Sequence, residues 1–250
     1  MPYGMYMSAE GAQVQQQRLE VIANNLANVN TVGFKPDVAS FQSRLSEAIQ
    51  QGDAYEGDRS DDNVGGGVNV FDTTTDFTAG RLQTTGAALD MAVIGEGFFE
   101  VQDQGGQRLL TRAGNFSIDS QNRLVTQNGM LVLDSGGSEI TIDPQLPYEI
   151  SATGILSQEG SQVPIGIVAP QSLGDLVKVG NNLFQPLAPV NQMEIGRREI
   201  RSGVLEMSGT QSVRQMTDMI ETQRAFEANV RIIQSQDSMS GNLIGRVLQA

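Results

Sequence analysis

The chain has 250 residues, a formal net charge of −13, and no cysteine, histidine or tryptophan. Lacking cysteine and histidine, it has no disulfide, no thiolate nucleophile, and neither the commonest general base nor the commonest transition-metal ligand; its 29 acidic residues leave carboxylate chemistry possible, but no catalytic, metal or cofactor site is expected. The acidic balance repels nucleic acid and anionic lipid surfaces. No run approaches the ~18 apolar residues needed to span a bilayer, so no membrane insertion is expected.

The first seventeen residues hold no Lys or Arg, no apolar core and no cleavage site, so a cleaved signal peptide is not expected. Met5, Ala12, Leu19, Ile22, Leu26 and Val29 fall on three-four spacing, with Ser8 and Gln15 as polar members. This predicts a helix from about Met5 to Asn28 with one narrow stripe to bury. Asn24, Asn25, Asn28 and Asn30, then Gly33 and Pro36, form a helix stop: asparagine and glycine tolerate left-handed backbone, and proline forbids continuation. Between Asp37 and Ile49, Phe41, Leu45 and Ile49 sit at helical spacing and predict a second, short amphipathic helix. From Asp53 to Asp76 seven acids stand against one base, Arg59, and the stretch 50–67 ends in three glycines. That composition predicts a flexible acidic loop. The glycine triplet lacks the strand before it and the Lys-Ser/Thr after it that a phosphate cradle needs.

Between Val68 and Asn191 the pattern becomes short alternating runs. Val68–Phe71, Leu89–Ile94, Phe98–Val101, Arg108–Thr111, Asn115–Ile118, Arg123–Thr126, Met130–Leu133, Glu139–Ile142, Tyr148–Ile150, Gly154–Leu156 and Val163–Val168 all read as strands. Turn signals separate them at 95–97, 103–106, 119–122, 128–129 and 134–137, which predicts an antiparallel meander or barrel. Beyond Ala169 the chain is Pro- and Asn-rich and unpatterned. Asp119 with Asp143, or Glu96 with Glu100, pair as glycosidase carboxylates on paper, but their spacing is that of turn and strand-edge acids. Asp119–Asn122 lacks the acidic ladder of a calcium loop. Asn115-Phe-Ser117 is a bare glycosylation triplet.

The last forty residues carry a second three-four series: Met216, Met219, Gln223, Phe226, Val230, Ile233, Asp237, Ser240, Ile244 and Val247. No proline interrupts it, and the helix it predicts is on the order of 50 Å long. Both helical stripes are flecked with polar residues, which cost stability and set register. They are therefore expected to pair with each other and with neighbouring subunits, and to fold fully only on assembly. The predicted fold class is α+β, with long N- and C-terminal helices in a coiled-coil-like pair around a central, mainly antiparallel β domain. The expected division is 1–30 with 212–250 for assembly, 76–189 for the β domain, and 31–75 with 190–211 as connections.

The stretch Ile22–Lys35, through Asn24, Asn25, Leu26, Ala27, Asn28, Gly33 and Phe34, resembles the N-terminal signature of bacterial flagellar rod and hook proteins. Leu89–Val101, with Gly95, Gly97, Phe98 and Phe99, resembles the core of the same family, as do Leu110–Asp119 and Arg123–Gly129. Leu110 stands where the family more often has an aromatic residue. Ser202–Glu206, with Gly203, Leu205 and Glu206, resembles its second signature, although Ser208-Gly-Thr-Gln211 departs from the Ser-Asn-Val that usually follows. Met216–Asn229 again resembles the family, so the likeness covers most of the chain.

That resemblance implies a non-enzymatic subunit of the basal-body rod, a torque-transmitting axial structure whose inner tube is made by the terminal helices and forms the export-channel wall. It implies homo-oligomeric contacts, other rod and hook proteins as partners, and uncleaved export by the flagellar type III apparatus into the periplasm-spanning rod. The compact length and the wording around 202–220 are closer to the proximal than to the distal rod type. Two other classes are weighed. A secreted carbohydrate-binding domain calls for an exposed aromatic patch, and the chain has no Trp and four Tyr. A carboxylate hydrolase acting on cell wall calls for two facing acids in a cleft.

Overall fold

A computed structural model of the chain describes residues 3–43, 68–180 and 182–247. The acidic loop expected at 50–67 lies outside them. The described residues fall into two compact units, one drawn from 1–27, 37–75 and 211–250, the other from 28–36 and 76–210.

The first unit contains helix α1 (Tyr3–Ala27), strands β1 (Asp37–Ser43) and β2 (Val68–Thr75), and helix α2 (Ser212–Val247). The helices span 25 and 36 residues and pack along each other. Strands β1 and β2 form an antiparallel ribbon that also packs on α1. The helical reading of 37–43 is therefore corrected to a strand. Its partner carries Thr73, Thr74 and Thr75, β-branched residues that suit a pleated surface, in register with Ala39, Val38 and Asp37. The side chain of Asn25 reinforces this start. Its Nδ2 donates to Asp37 O at 2.8 Å and its Oδ1 accepts from Asp37 N at 2.9 Å, so the amide stands in for a neighbouring strand. Helical spacing at Phe41, Leu45 and Ile49 was a coincidence over the first of these residues, and 44–49 lie outside the described structure.

In the second unit the strands are β3 (Leu82–Thr84), β4 (Met91–Ile94), β5 (Phe98–Gln102), β6 (Arg108–Thr111), β7 (Ser117–Ile118), β8 (Leu124–Val125), β9 (Leu131–Val132), β10 (Tyr148–Ile150), β11 (Ile155–Gln158), β12 (Ser161–Pro164), β13 (Ile167–Ala169), β14 (Leu176–Gly180), β15 (Leu183–Pro186), β16 (Asn191–Gln192), β17 (Glu199–Ser202) and β18 (Val204–Glu206). Nine of them form one sheet along the path β14-β15-β6-β5-β9-β8-β7, with β13 added on β5 and β16 on β13. Strands β10 to β12 make a separate three-stranded meander, and all described pairings are antiparallel. Each of the five turns predicted between 95 and 137 contains a residue at positive φ, among them Asn122 at 61° and Gly129 at 77°. Those turns set the hairpin register.

Adjacent residues of a strand point to opposite faces. Phe98 and Phe99 thereby serve two cores. Phe99 is fully buried with Met91, Val101, Leu124, Ile142 and Ile167 in the larger cluster, edge-on to Phe116 with ring centroids 5.0 Å apart. Phe98 joins Leu110, Val168, Leu176 and Phe184 on the other face. Burying each ring contributes on the order of 1.5–3 kcal/mol. The stretch beyond Ala169, unpatterned in sequence, adds β14 and β15 to the sheet edge. β17 and β18, from the segment expected to be a connection, pair with β4 and β3. Among the described residues, no helix is long and apolar enough to cross a membrane.

Candidate assembly site

The two motif segments that flank the helices, 32–36 and 203–209, meet inside the second unit. Residues 32–36 have no regular secondary structure, so their backbone groups need partners from elsewhere. Most of the carbonyls and the Gly33 N–H find them across the unit. Asn182 Nδ2 donates to Val32 O at 2.6 Å, and Lys178 Nζ donates to Lys35 O at 2.8 Å. Gly209 N donates to Phe34 O at 3.1 Å, Asp76 N to Pro36 O at 2.8 Å, and Gly33 N to Glu206 O at 2.7 Å. Lys178 also lies over the Phe34 ring, 4.1 Å from its centroid.

A charged cluster closes the same region. Lys35 is 1 % exposed and donates from Nζ to Glu206 Oε1 at 2.7 Å and to Thr78 O at 2.9 Å. Glu206 Oε1 also accepts from Gly80 N at 2.8 Å, and Glu206 Oε2 lies 3.5 Å from Arg112 Nη1. Arg112, from the end of β6, donates to Val93 O and Gly95 O and stacks on the Phe98 ring at 4.9 Å. Burial pulls the Lys35 ammonium below its ordinary range, partly offset by the hydrogen bond and charge of Glu206. Burial likewise lowers Arg112, against the pull of Glu206 and then Glu96. Two buried cations share one carboxylate, so Glu206 is the group whose loss leaves uncompensated charge.

The motif glycines serve this packing. Gly33 sits at φ 66°, and a Cβ there would run into the backbone of Arg112 and Ala113. Gly203, at φ 71°, turns the chain between β17 and β18, and Leu205 and Glu206 follow it into the core. Gly95, at φ 83°, makes the β4–β5 turn, while a side chain on Gly97 would press on Met193, Ile167 and Val93.

In the helix pair, the line along which α2 meets α1 is polar. Gly4 faces Gln236 and Gly11 faces Asn229: a Cβ on Gly11 would sit 3.1 Å from Asn229 Nδ2. Both pairs step by seven residues in opposite directions, so the helices run antiparallel. Thr222 lies one further step along the same line and is 2 % exposed. On α1, Ser8, Ala12, Val14, Ile22 and Asn25 are buried, and Leu19 and Leu26 are half-buried. Val29 lies in the turn after the helix and is half-buried, as is Asn28, while Asn24 and Ala27 are exposed. Val14 is off the predicted stripe. It shares a face with Asn25, the face tied to β1.

On α2 the predicted series is displaced from the contact line by one residue. Met219, Phe226, Val230 and Ile233 are half-buried on its flank, whereas Met216, Gln223 and Asp237 are exposed. Ile244 and Val247 lie in the helix. Val213, Met216 and Ile220 form an apolar stripe, respectively 77 %, 51 % and 53 % exposed. Ile220 and Thr222 are about 200° apart around the helix. The uncovered stripe therefore points away from the α1-facing line. The polar seam had one signal in the sequence, Gly11 inside a helical pattern, where glycine costs ~1 kcal/mol unless backbones approach closely. Arg112 lay within the family-like stretch Leu110–Asp119, while Thr78, Gly80, Lys178 and Asn182 had no signal.

Among the described residues, no group of three or more His, Cys, Asp or Glu side chains is placed to hold a metal ion. Asp119 spends its carboxylate on the turn, accepting from Gln121 N, Arg123 N and the Arg123 guanidinium. Paired terminal helices, uncovered apolar side chains on α2 and motif segments locked by buried charge define a structural subunit organised around its terminal segments. Family comparison agrees. Residues 5–35 match the flagella basal body rod protein model, 92–179 the flagellar hook protein FlgE/F/G D1 domain, and 201–246 the flagellar basal body rod FlgEFG protein C-terminal model. The chain is 34% identical to the flagellar basal-body rod protein FlgF of Caulobacter vibrioides over 251 residues, covering 99% of this chain and 98% of the relative. It is 34% identical to FlgG of Bacillus subtilis over 259 residues, covering 96% and 97%, and 32% identical to FlgG of Caulobacter vibrioides, covering 93% and 94%. The chain belongs to the flagellar basal-body rod FlgE/F/G family, a family of structural, non-enzymatic proteins.

Proposed function

We propose that the chain is a proximal rod subunit of the FlgF type, assembling with copies of itself and with other rod and hook proteins through its terminal helices. The observation that carries this reading is the stripe of Val213, Met216 and Ile220, exposed on the side of α2 opposite its polar contact with α1. A lone subunit leaves that stripe in water, and a neighbouring helix would bury it. The segments 1–30 and 212–250 act as the assembly part in this proposal. The middle, 76–189, supplies the outer layer, with 31–75 and 190–211 connecting them. The seam residues Leu19, Ile22, Leu26, Val29, Met216, Met219, Phe226, Val230, Ile233, Ile244 and Val247 are proposed to pack the terminal helices against each other and against neighbouring subunits. Export through the flagellar type III apparatus, without cleavage, delivers the chain to a rod spanning the periplasm.

The FlgF assignment draws on the FlgF relative, whose alignment covers 99% of this chain against 96% for the FlgG relative of equal identity. A distal position, of the FlgG type, is the second reading, favoured by that equal identity. Labelling the chain and imaging isolated basal bodies tests both. Label at the export-apparatus end of the rod is expected, label along the distal rod would transfer the assignment, and absence from the rod would overturn the function.

A further inference from the structure

With ten methionines and no cysteine, histidine or tryptophan, the chain concentrates its oxidisable side-chain chemistry in thioethers. Their exposure differs sharply. Met91 is fully buried, whereas Met216 and Met239, both on α2, are 51 % and 55 % exposed. Met216 sits within the stripe formed with Val213 and Ile220. Met239 shares a face with Ile232, seven residues before it, and Leu243, four after it, both also exposed. We propose that Met216 and Met239 are oxidation sites at which a hydroperoxide switches off association of the unassembled subunit. This inference rests on reading the outer faces of α2 as the assembly surface.

The step is an oxygen-atom transfer. A sulfur lone pair attacks one peroxide oxygen, the O–O bond breaks, and an S–O bond forms. The sulfur loses two electrons to the peroxide, whose departing oxygen leaves as water, or as an alcohol, once protonated. The thioether becomes a polar sulfoxide. Its neighbours in the stripe, Val213 and Ile220, have no side-chain donor, and the backbone N–H groups of Met216 and Ile220, beyond the first turn of α2, are spent within the helix. Burying the sulfoxide against another helix therefore removes its water without replacing the hydrogen bonds. Assembly covers both sulfurs, so the sensitivity belongs to the free subunit. Methionine sulfoxide reductases, one for each sulfoxide epimer, reverse it.

The test treats the full chain with hydrogen peroxide, maps added oxygen by peptide mass spectrometry, and follows self-association by sedimentation velocity over a concentration series. Met216 and Met239 are expected to gain oxygen before Met91, and association is expected to weaken roughly tenfold or more for each buried sulfoxide. Reductase treatment restores it. The Met216→Leu/Met239→Leu variant has no thioether at either position; its self-association, measured first without peroxide, is expected to stay at that level after peroxide. The inference is overturned if wild-type chain oxidised at both positions associates as well as untreated chain, or if the double variant loses association under peroxide as the wild type does. Untreated wild type that stays monomeric throughout would overturn the assembly reading itself, and this inference with it.

Discussion

Lys35 Nζ and Glu206 Oε1 are 2.7 Å apart, although 171 positions separate the residues in the chain. Both side chains are almost wholly buried, and Arg112 completes the group. Removing one partner of such a buried pair costs about 3–5 kcal/mol. Glu206→Gln is therefore expected to lower the stability of the second unit by about that much, read as a reduced urea midpoint. Adding Lys35→Met removes one of the stranded cations and should recover part of the loss. A double variant less stable than Glu206→Gln alone would contradict the charge assignment.

Two glycines should respond in opposite ways to alanine. At Gly4 the nearest atom to an added Cβ is Gln236 Nε2, 2.8 Å away at the end of a flexible side chain. That amide can swing aside, so Gly4→Ala should be neutral or stabilising by up to ~1 kcal/mol. At Gly33 the obstacle is backbone and φ is 66°. Left-handed backbone alone costs a non-glycine residue about 1–2 kcal/mol, and the collision adds to it. Calorimetry of both variants checks the contrast.

Phe226 is half-buried between the α1-facing line and the exposed side of α2. Phe226→Asp is expected to abolish association while leaving the β-rich unit folded. Sedimentation reads the first effect. Near-ultraviolet circular dichroism reads the second, through Phe98, Phe99 and Phe184. Unimpaired entry of this variant into the rod would remove the seam from the proposal.

Asp119 gives the acid limb of stability a definite sign. The Arg123 backbone N–H, followed by the Arg123 side chain and the Gln121 N–H, holds its carboxyl below the usual 3.8. Its contribution is complete above pH 3.8 and disappears as pH falls through the lowered value. Asp119→Asn should flatten the stability curve below that pH and leave its shape unchanged near neutrality. Urea titrations at a series of acidic pH values measure it.

The helices and hairpins could be read from the chain because their signals are local. Three-four spacing without proline marked α1 and α2, and the turn at Asn128-Gly129 appears with Gly129 at positive φ. What escaped was non-local or borrowed. β1 owes its form to Thr73–Thr75 and to the Asn25 amide, neither of which its own sequence displays. β14 and β15 lie where prolines obscure alternation, and Pro186 sits at the end of β15, beyond most of its ladder. Of the candidate site, Gly33, Phe34, Gly203, Leu205 and Glu206 were recognisable by likeness. Their meeting with Lys35 and Arg112 was not, because contacts across such separations leave no periodicity. The polar seam escaped for a different reason. A search for apolar stripes passes over Thr222, Asn229 and Gln236 and finds the flank beside them.

The backbone bonds Gly33 N to Glu206 O and Gly209 N to Phe34 O fasten the segment that follows α1 to the segment that precedes α2. Tension applied between the two terminal segments would cross this bridge directly and bypass the nine-stranded sheet. The sheet can then vary in outline, or accept insertions far from the bridge, without altering how force travels along the polypeptide.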